Sequence, residues 1–511
     1  MTDEERVTSS NVRSNATATQ LNEETPEGKP HEVTGDAEQA WSGMTTEDER
    51  IVDFEEGDPE NPMNWPASRK VAAIVIVTSL TLLSPFASTI CASATLDILA
   101  HFNSANQTLG ALITTIFLLG YTFGPIVIAP MSEMYGRAIM YKVSIVLFVV
   151  FNVACAVANS LGSLIVFRFL AGVMGSCPMT IGTGTIADLM PAEKRAGAMG
   201  AYILGVVFGP SLGPIAGGYI APALGWRWTF WLIVIMSGAM AVVTLLFAQE
   251  TYPYVILERK TKRLRLETGK GSLRSALDTG KSPRDLFAFS IFRPLKMLLS
   301  PIVLSLSLYA AVVYSYLYLC FTTFEVVFGE QYGFSSGQAG LATLGIGIGS
   351  IVGIIGCGIA SQKISAHLTQ KNGGDPKPEY RLPPMVVGAV FLPAGLFWYG
   401  WSADAQTHWI VPILGTAFIG VGMILTYMPS AMYLVDAFTV HAASVTAAST
   451  ILRCLLGALL PLAGPSMYEA LGLGWGNSLL GFIAIAFFPL PIVFYVYGER
   501  IREAKIWQVD L

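Results

Sequence analysis

Two arginines stand inside long apolar stretches: Arg168 in Val166-Phe167-Arg168-Phe169-Leu170-Ala171-Gly172, and Arg453 in Ile451-Leu452-Arg453-Cys454-Leu455. A guanidinium does not deprotonate in a protein, so each must find a polar partner, line a wet cavity or reach a membrane surface. Arg168 lies about five residues inside its stretch, and snorkelling along its own stem is an alternative to a buried role. Neither arginine can carry a titrating proton. The middle of the apolar stretches contains no acid: Asp97, Glu133, Asp188, Glu325, Asp436 and Glu469 fall at their ends or between them. Asp97, Glu133 and Asp188 are the candidates for a proton carrier, though none is well placed. Tyr314, Tyr318 and Tyr427 can line an adaptable apolar pocket together with Arg453. Lipid-facing or packing roles explain any one of these tyrosines as well.

Bond-making chemistry has no such candidates. The six cysteines show no metal-ligand spacing and read as reduced core residues. No Gly-x-x-x-x-Gly-Lys-Ser/Thr loop is present, which disfavours nucleotide-driven pumping. There is no nucleophile elbow either. The sequence therefore predicts a protein that is not an enzyme, holds no metal or other cofactor and binds no nucleic acid.

The elements that must position these residues are membrane helices. The chain has 511 residues, 53% hydrophobic and 13% charged, against about a quarter charged in an average soluble domain. About 20 apolar residues span a bilayer. Twelve such stretches occur: 71–93, 109–131, 140–160, 163–186, 198–221, 227–249, 299–323, 338–361, 383–402, 409–432, 443–466 and 476–497. The expected fold is an all-α polytopic membrane protein of twelve helices in two six-helix bundles. Its expected layout is an acidic disordered tail (1–68), an N-terminal bundle (69–250), a central loop (251–298), a C-terminal bundle (299–498) and a short tail (499–511). The net charge of -5 comes from the first 70 residues, which hold 17 acids and 6 bases. With both termini in the cytoplasm, all but three of the 31 Lys and Arg residues fall on the cytoplasmic side, as the positive-inside rule requires. Asn106-Gln107-Thr108 is then a glycosylation sequon in the first outer loop.

Two further strings concern movement. Glycine and proline crowd one face of the fifth stretch at Gly205, Gly209, Pro210, Gly213, Pro214, Gly217 and Gly218. Small residues let a neighbouring helix approach closely, while the prolines remove backbone donors and bend the helix unless neighbours satisfy the freed carbonyls. The second stretch ends Glu133-Met134-Tyr135-Gly136-Arg137. Gly136 permits an unusual turn there. Glu133 and Arg137 can pair with each other, with helix ends or with neighbouring spans. Asp188 and Arg195, at the same face, can join that cluster.

These strings resemble those of the major facilitator superfamily. The Gly-Pro face is similar to the antiporter motif of its proton-coupled exporters. The string Ala129 to Arg137 resembles the motif between spans two and three, although Ala129 and Ala138 replace a glycine and a base. Arg168 with Gly172 resembles an Arg-x-x-x-Gly motif linked to proton coupling. Asn61-Pro62-Met63-Asn64-Trp65-Pro66, Glu250-Thr251-Tyr252 and Pro378-Glu379-Tyr380-Arg381 point to the fungal twelve-span drug/proton antiporters. The resemblance implies alternating access and proton-coupled efflux of a hydrophobic drug, toxin or secondary metabolite by a monomer in the plasma membrane, with the vacuolar membrane as alternative. An organic-acid or nutrient carrier of the same fold is the rival reading.

Overall fold

The computed structural model describes residues 51–191, 194–269, 272–278, 292–438 and 441–503. The acidic tail before residue 51, residues 192–193, 270–271, 279–291 and 439–440, and the last eight residues lie outside that description.

Among the described residues, eleven continuous helical stretches are long and apolar enough to cross a membrane. The last, Ala442–Arg502, is 61 residues and holds the eleventh and twelfth passes. Gly472, at φ 73°, interrupts it. Tyr468 Oη donates to Asn477 Oδ1 at 3.1 Å across a sequence separation of 9. Nine residues of straight helix would span about 13.5 Å, so the chain turns back on itself at this glycine. Spans 1 to 6 are Ala67–Thr89, Gln107–Tyr135, Arg137–Ala156, the pair Leu161–Gly175 and Cys177–Leu189, Arg195–Leu224, and Arg227–Phe247. Spans 7 to 10 are Pro301–Tyr332, the pair Ser336–Ala342 and Leu344–Lys371, Pro383–Asp404, and Ile410–Ala437. Span 11 starts with Ala442–Leu459, and span 12 ends with Pro489–Glu503.

Helix pairing in the first half repeats in the second. Span 1 packs on 5, 2 on 4, and 3 on 4 and 6; span 7 packs on 11, 8 on 10, and 9 on 10 and 12. Each half has its own apolar core, and the halves meet where span 2 touches 11 and span 5 touches 8. All six cysteines are buried and unpaired.

Span 5 remains one helix through Pro210, Pro214 and Pro222. A proline at 214 cannot donate to the carbonyl four residues back. The Thr89 hydroxyl donates to that carbonyl, Pro210 O, at 2.9 Å. Span 7 runs past its expected end at 323 to Tyr332. Glu325, expected beyond the helix, therefore lies within it, half-buried, and accepts from Ser336 Oγ at 2.9 Å.

In the central loop, the polar helix Pro253–Thr268 is tied to the segment before span 1. Lys260 Nζ lies 2.6 Å from Asp58 Oδ2, and the Asp58 carboxylate also accepts from Glu60 N at 2.8 Å. The Lys260 ammonium holds the Asp58 carboxyl below its ordinary range. Its folded value lies under the unfolded one. The tie is therefore fully present above the ordinary carboxylate value of about 3.9 and is lost as pH falls through the depressed one. Asp58→Asn should raise the rate of protease cleavage between residues 58 and 66 several-fold at pH 7, and an unchanged rate would contradict this role.

Candidate functional site

Arg168 is fully buried, at 0% exposure, so it does not snorkel. It donates Nε to Ile113 O (3.1 Å), Nη1 to Ala87 O (2.8 Å) and Nη2 to Ser88 O (2.7 Å). Ala87 and Ser88 lie in the last turn of the span 1 helix, whose carbonyls lack intrahelical donors. The guanidinium thus caps that end and staples spans 1, 2 and 4 together, with the Phe117 ring 4.7 Å away. Gly172, one turn later, makes the approach possible: a Cβ there would lie 3.0 Å from the Phe117 carbonyl carbon.

Arg453 differs in every respect but burial. It is 6% exposed, and its Nε is buried without a hydrogen-bond partner. Tyr314 and Tyr427 present ring faces to it at 4.5 and 5.1 Å. Both tyrosines are half-buried. Gly457, one turn along span 11, faces span 2: a Cβ there would lie 2.9 Å from the Leu118 Cδ2. The Arg453 cluster therefore sits beside the seam between halves. Tyr318 is part of the seam itself: it is fully buried, and its hydroxyl is 2.9 Å from Ser88 Oγ across it.

The small face of span 5 packs mainly on span 1, inside the same half. A Cβ on Gly205 would lie 3.1 Å from Thr78 O, and one on Gly209 2.7 Å from Leu82 O. For Gly213 the obstacle is Phe86 O at 2.7 Å, and for Gly217 it is Ile90. Gly218 alone of the set faces the other half, 2.9 Å from Gly337 Cα by the same measure. Thr343 Oγ1 donates to Ser211 O at 3.0 Å nearby.

At the face carrying the span 2–3 turn, Arg137 pairs with Asp188 and not with Glu133, which is exposed. Arg195 caps the end of span 4, donating to Ala187 O (3.3 Å) and Met190 O (3.2 Å). In the sequence Glu250 stands out only within the resemblance carried by Glu250-Thr251-Tyr252. In the structure it organises the turn, accepting from the backbone N–H of Arg137 (2.9 Å), Ala138 (3.2 Å), Thr251 (3.0 Å) and Tyr252 (2.9 Å). Its carboxylate thus covers the N-terminus of span 3, where a negative charge is favoured. Gly136 has φ +99°, and a Cβ there would lie 2.6 Å from the Glu250 carboxyl carbon. Gly136→Ala should therefore lower the thermal unfolding midpoint by an amount matching about 1–3 kcal/mol. An unchanged midpoint would remove the turn's strain from the account. The second half carries a matching set, Arg381–Asp436 at 3.0 Å and Lys377–Glu499 at 2.7 Å.

At the opposite face, a cavity of about 730 Å³ opens between residues 95–111 of the first half and 322–331 and 465–473 of the second. Glu330, Asp404 and Glu469 line it, with no lysine or arginine among its lining residues. Asn106 lies at its edge, exposed, with its side-chain oxygen capping span 2 through Thr108 N (3.0 Å) and Leu109 N (3.3 Å).

A sequence model of the Major Facilitator Superfamily matches residues 72–461. The chain is 53% identical over 464 residues to the MFS-type transporter penM of Penicillium rubens, covering 90% of this chain and 91% of that one. It is 46% identical to the efflux pump radE of Floropilus chiversii, covering 91% and 87%. Its fold is similar to the inward-open xylose transporter XylE from E. coli, with a TM-score of 0.62 at 16% identity over 83% of this chain and 96% of that one. The chain belongs to the major facilitator superfamily of membrane transporters, alongside fungal transporters and efflux pumps.

Proposed function

We propose that the protein expels a hydrophobic small molecule in exchange for protons, by alternating access between its two halves. The cargo is a drug, toxin or secondary metabolite. The observation that carries this reading is the Tyr314–Arg453–Tyr427 cluster at the seam, where rocking of the halves would open it to each side in turn. The efflux pump at 46% identity supports the outward direction. The face bearing the Arg137 turn is the cytoplasmic one, both termini lie there, and the membrane is the plasma membrane. The five-part layout, with its acidic tail, two bundles, central loop and short tail, belongs to the same reading. Asn106 is then an outer glycan acceptor. Glu133, Gly136, Arg137, Asp188 and Arg195 act as a conformational clasp rather than a binding site, and the protein works as a monomer.

The acid-rimmed outer cavity favours protons by its negative potential. Glu325 is the acid we place on their route. It lies within span 7, bonded to Ser336, whose carbonyl abuts Gly218 across the seam. Asp97 and Glu133 are exposed, and Asp188 is held by Arg137. Glu325→Gln should retain substrate binding and lose gradient-driven export at least tenfold; undiminished coupling would exclude this residue. The export reading itself is tested by retention of fluorescent hydrophobic compounds in pump-deficient yeast. Expression should lower retention and a protonophore should restore it; unchanged retention with the protein at the cell surface would oppose it.

A further inference from the structure

Two of the described arginines are buried, and the fold treats them oppositely. Arg168 spends its donors on three backbone carbonyls. Arg453 forms no ion pair and no hydrogen bond among the described residues, and its Nε is buried and unmet. Burying a cation without a partner is costly. Two tyrosine faces offset part of that cost by cation–π attraction. They do not satisfy the N–H groups, which lie in the plane of the guanidinium. A fixed fork of unmet donors fits the two oxygens of a carboxylate. The surroundings suit an apolar body: Tyr314 and Tyr427 are only half-buried, and Met428, next to Tyr427 on span 10, has similar exposure. Among the described residues no carboxylate is paired with Arg453.

We propose that the exported molecule is a hydrophobic organic acid, whose carboxylate docks on Arg453 while its apolar body lies along Tyr314 and Tyr427. This rests on the export reading and narrows it, because a neutral cargo would leave the guanidinium unmet throughout the cycle. Arg453 binds and orients the anion; it does not carry the proton.

The test uses the purified full chain in lipid nanodiscs at pH 7. The probes are benzoate, 2-naphthoate and 4-biphenylcarboxylate, each beside its methyl ester. Wild-type protein should bind the larger carboxylates at least tenfold more tightly than their esters. Arg453→Gln should bring each pair to parity while leaving ester binding unchanged, and Arg453→Lys should keep part of the preference. Arg453→Gln should also unfold at a temperature no lower than wild type, since it removes a buried unpaired charge; a purely structural arginine would show the reverse. Parity in the wild type, failure to bind any of the carboxylates, or a preference that survives Arg453→Gln would overturn the proposal. Export fails separately: yeast that expel neutral compounds while the carboxylate preference is absent would keep the efflux reading and remove the acid from it.

Discussion

Replacing Arg168 by leucine should destabilise the first half more than any other single change considered. Three buried carbonyls, Ile113 O, Ala87 O and Ser88 O, would lose their donor. Hydrogen bonds to charged groups contribute about 1.5–3 kcal/mol each. Even with strong non-additivity, the loss should exceed about 3 kcal/mol. Arg168→Lys should recover little, because an ammonium on a linear stem cannot reach three carbonyls held in a fork. Thermal unfolding of the detergent-purified protein is the measurement. A midpoint within two degrees of wild type would mean that the staple is not structural, and the coupling role implied by the family resemblance would regain its place. The contrast with Arg453→Gln, expected to be thermally neutral or better, makes the pair of variants more informative than either one.

Gly209→Leu should abolish transport. The sequence predicts a moving helix face, so a bulky residue there would stop rocking while leaving the protein inserted. The structure changes the reason. Gly209 faces Leu82 O, Phe86 N and Pro85 of span 1, with the nearest of these 2.7 Å from where a Cβ would sit. Span 1 belongs to the same half, so leucine would wedge that half apart internally. Overpacking of this kind costs about 1–3 kcal/mol or more. Export and thermal stability should therefore fall together, with initial efflux reduced at least tenfold. Normal efflux would contradict the close packing of spans 1 and 5. Gly218→Leu separates the two ideas, since this glycine meets Gly337 of the other half. It should reduce transport with a smaller loss of stability.

The twelve passes and the two-bundle plan were legible because length and apolarity are one-dimensional properties of the chain. The turn at Gly136 was legible because only glycine tolerates φ +99° at low cost. What escaped depended on partners distant in sequence. Glu250 reaches back 113 residues to Arg137 N, and nothing in Glu250-Thr251-Tyr252 names that target. The spacing of Gly205, Gly209, Gly213 and Gly217 shows that some helix comes close, but not that it is span 1. The arginines are the sharpest case. Carbonyls exist at every residue, so no pattern around Arg168 marks the three it bonds, and none around Arg453 marks their absence. Glu325 was misplaced because hydropathy falls before the helix of span 7 ends.

The central claim is exchange of protons for a hydrophobic cargo. Its most direct test is the internal pH of proteoliposomes containing the full chain, recorded with a trapped fluorescent indicator under an imposed pH gradient. Adding a compound whose retention the protein lowers in yeast should dissipate the gradient in step with movement of the compound, and the Glu325→Gln protein should show neither flux. Movement of the compound with the gradient untouched would contradict proton exchange, leaving a transporter of this family that runs on the cargo's own gradient.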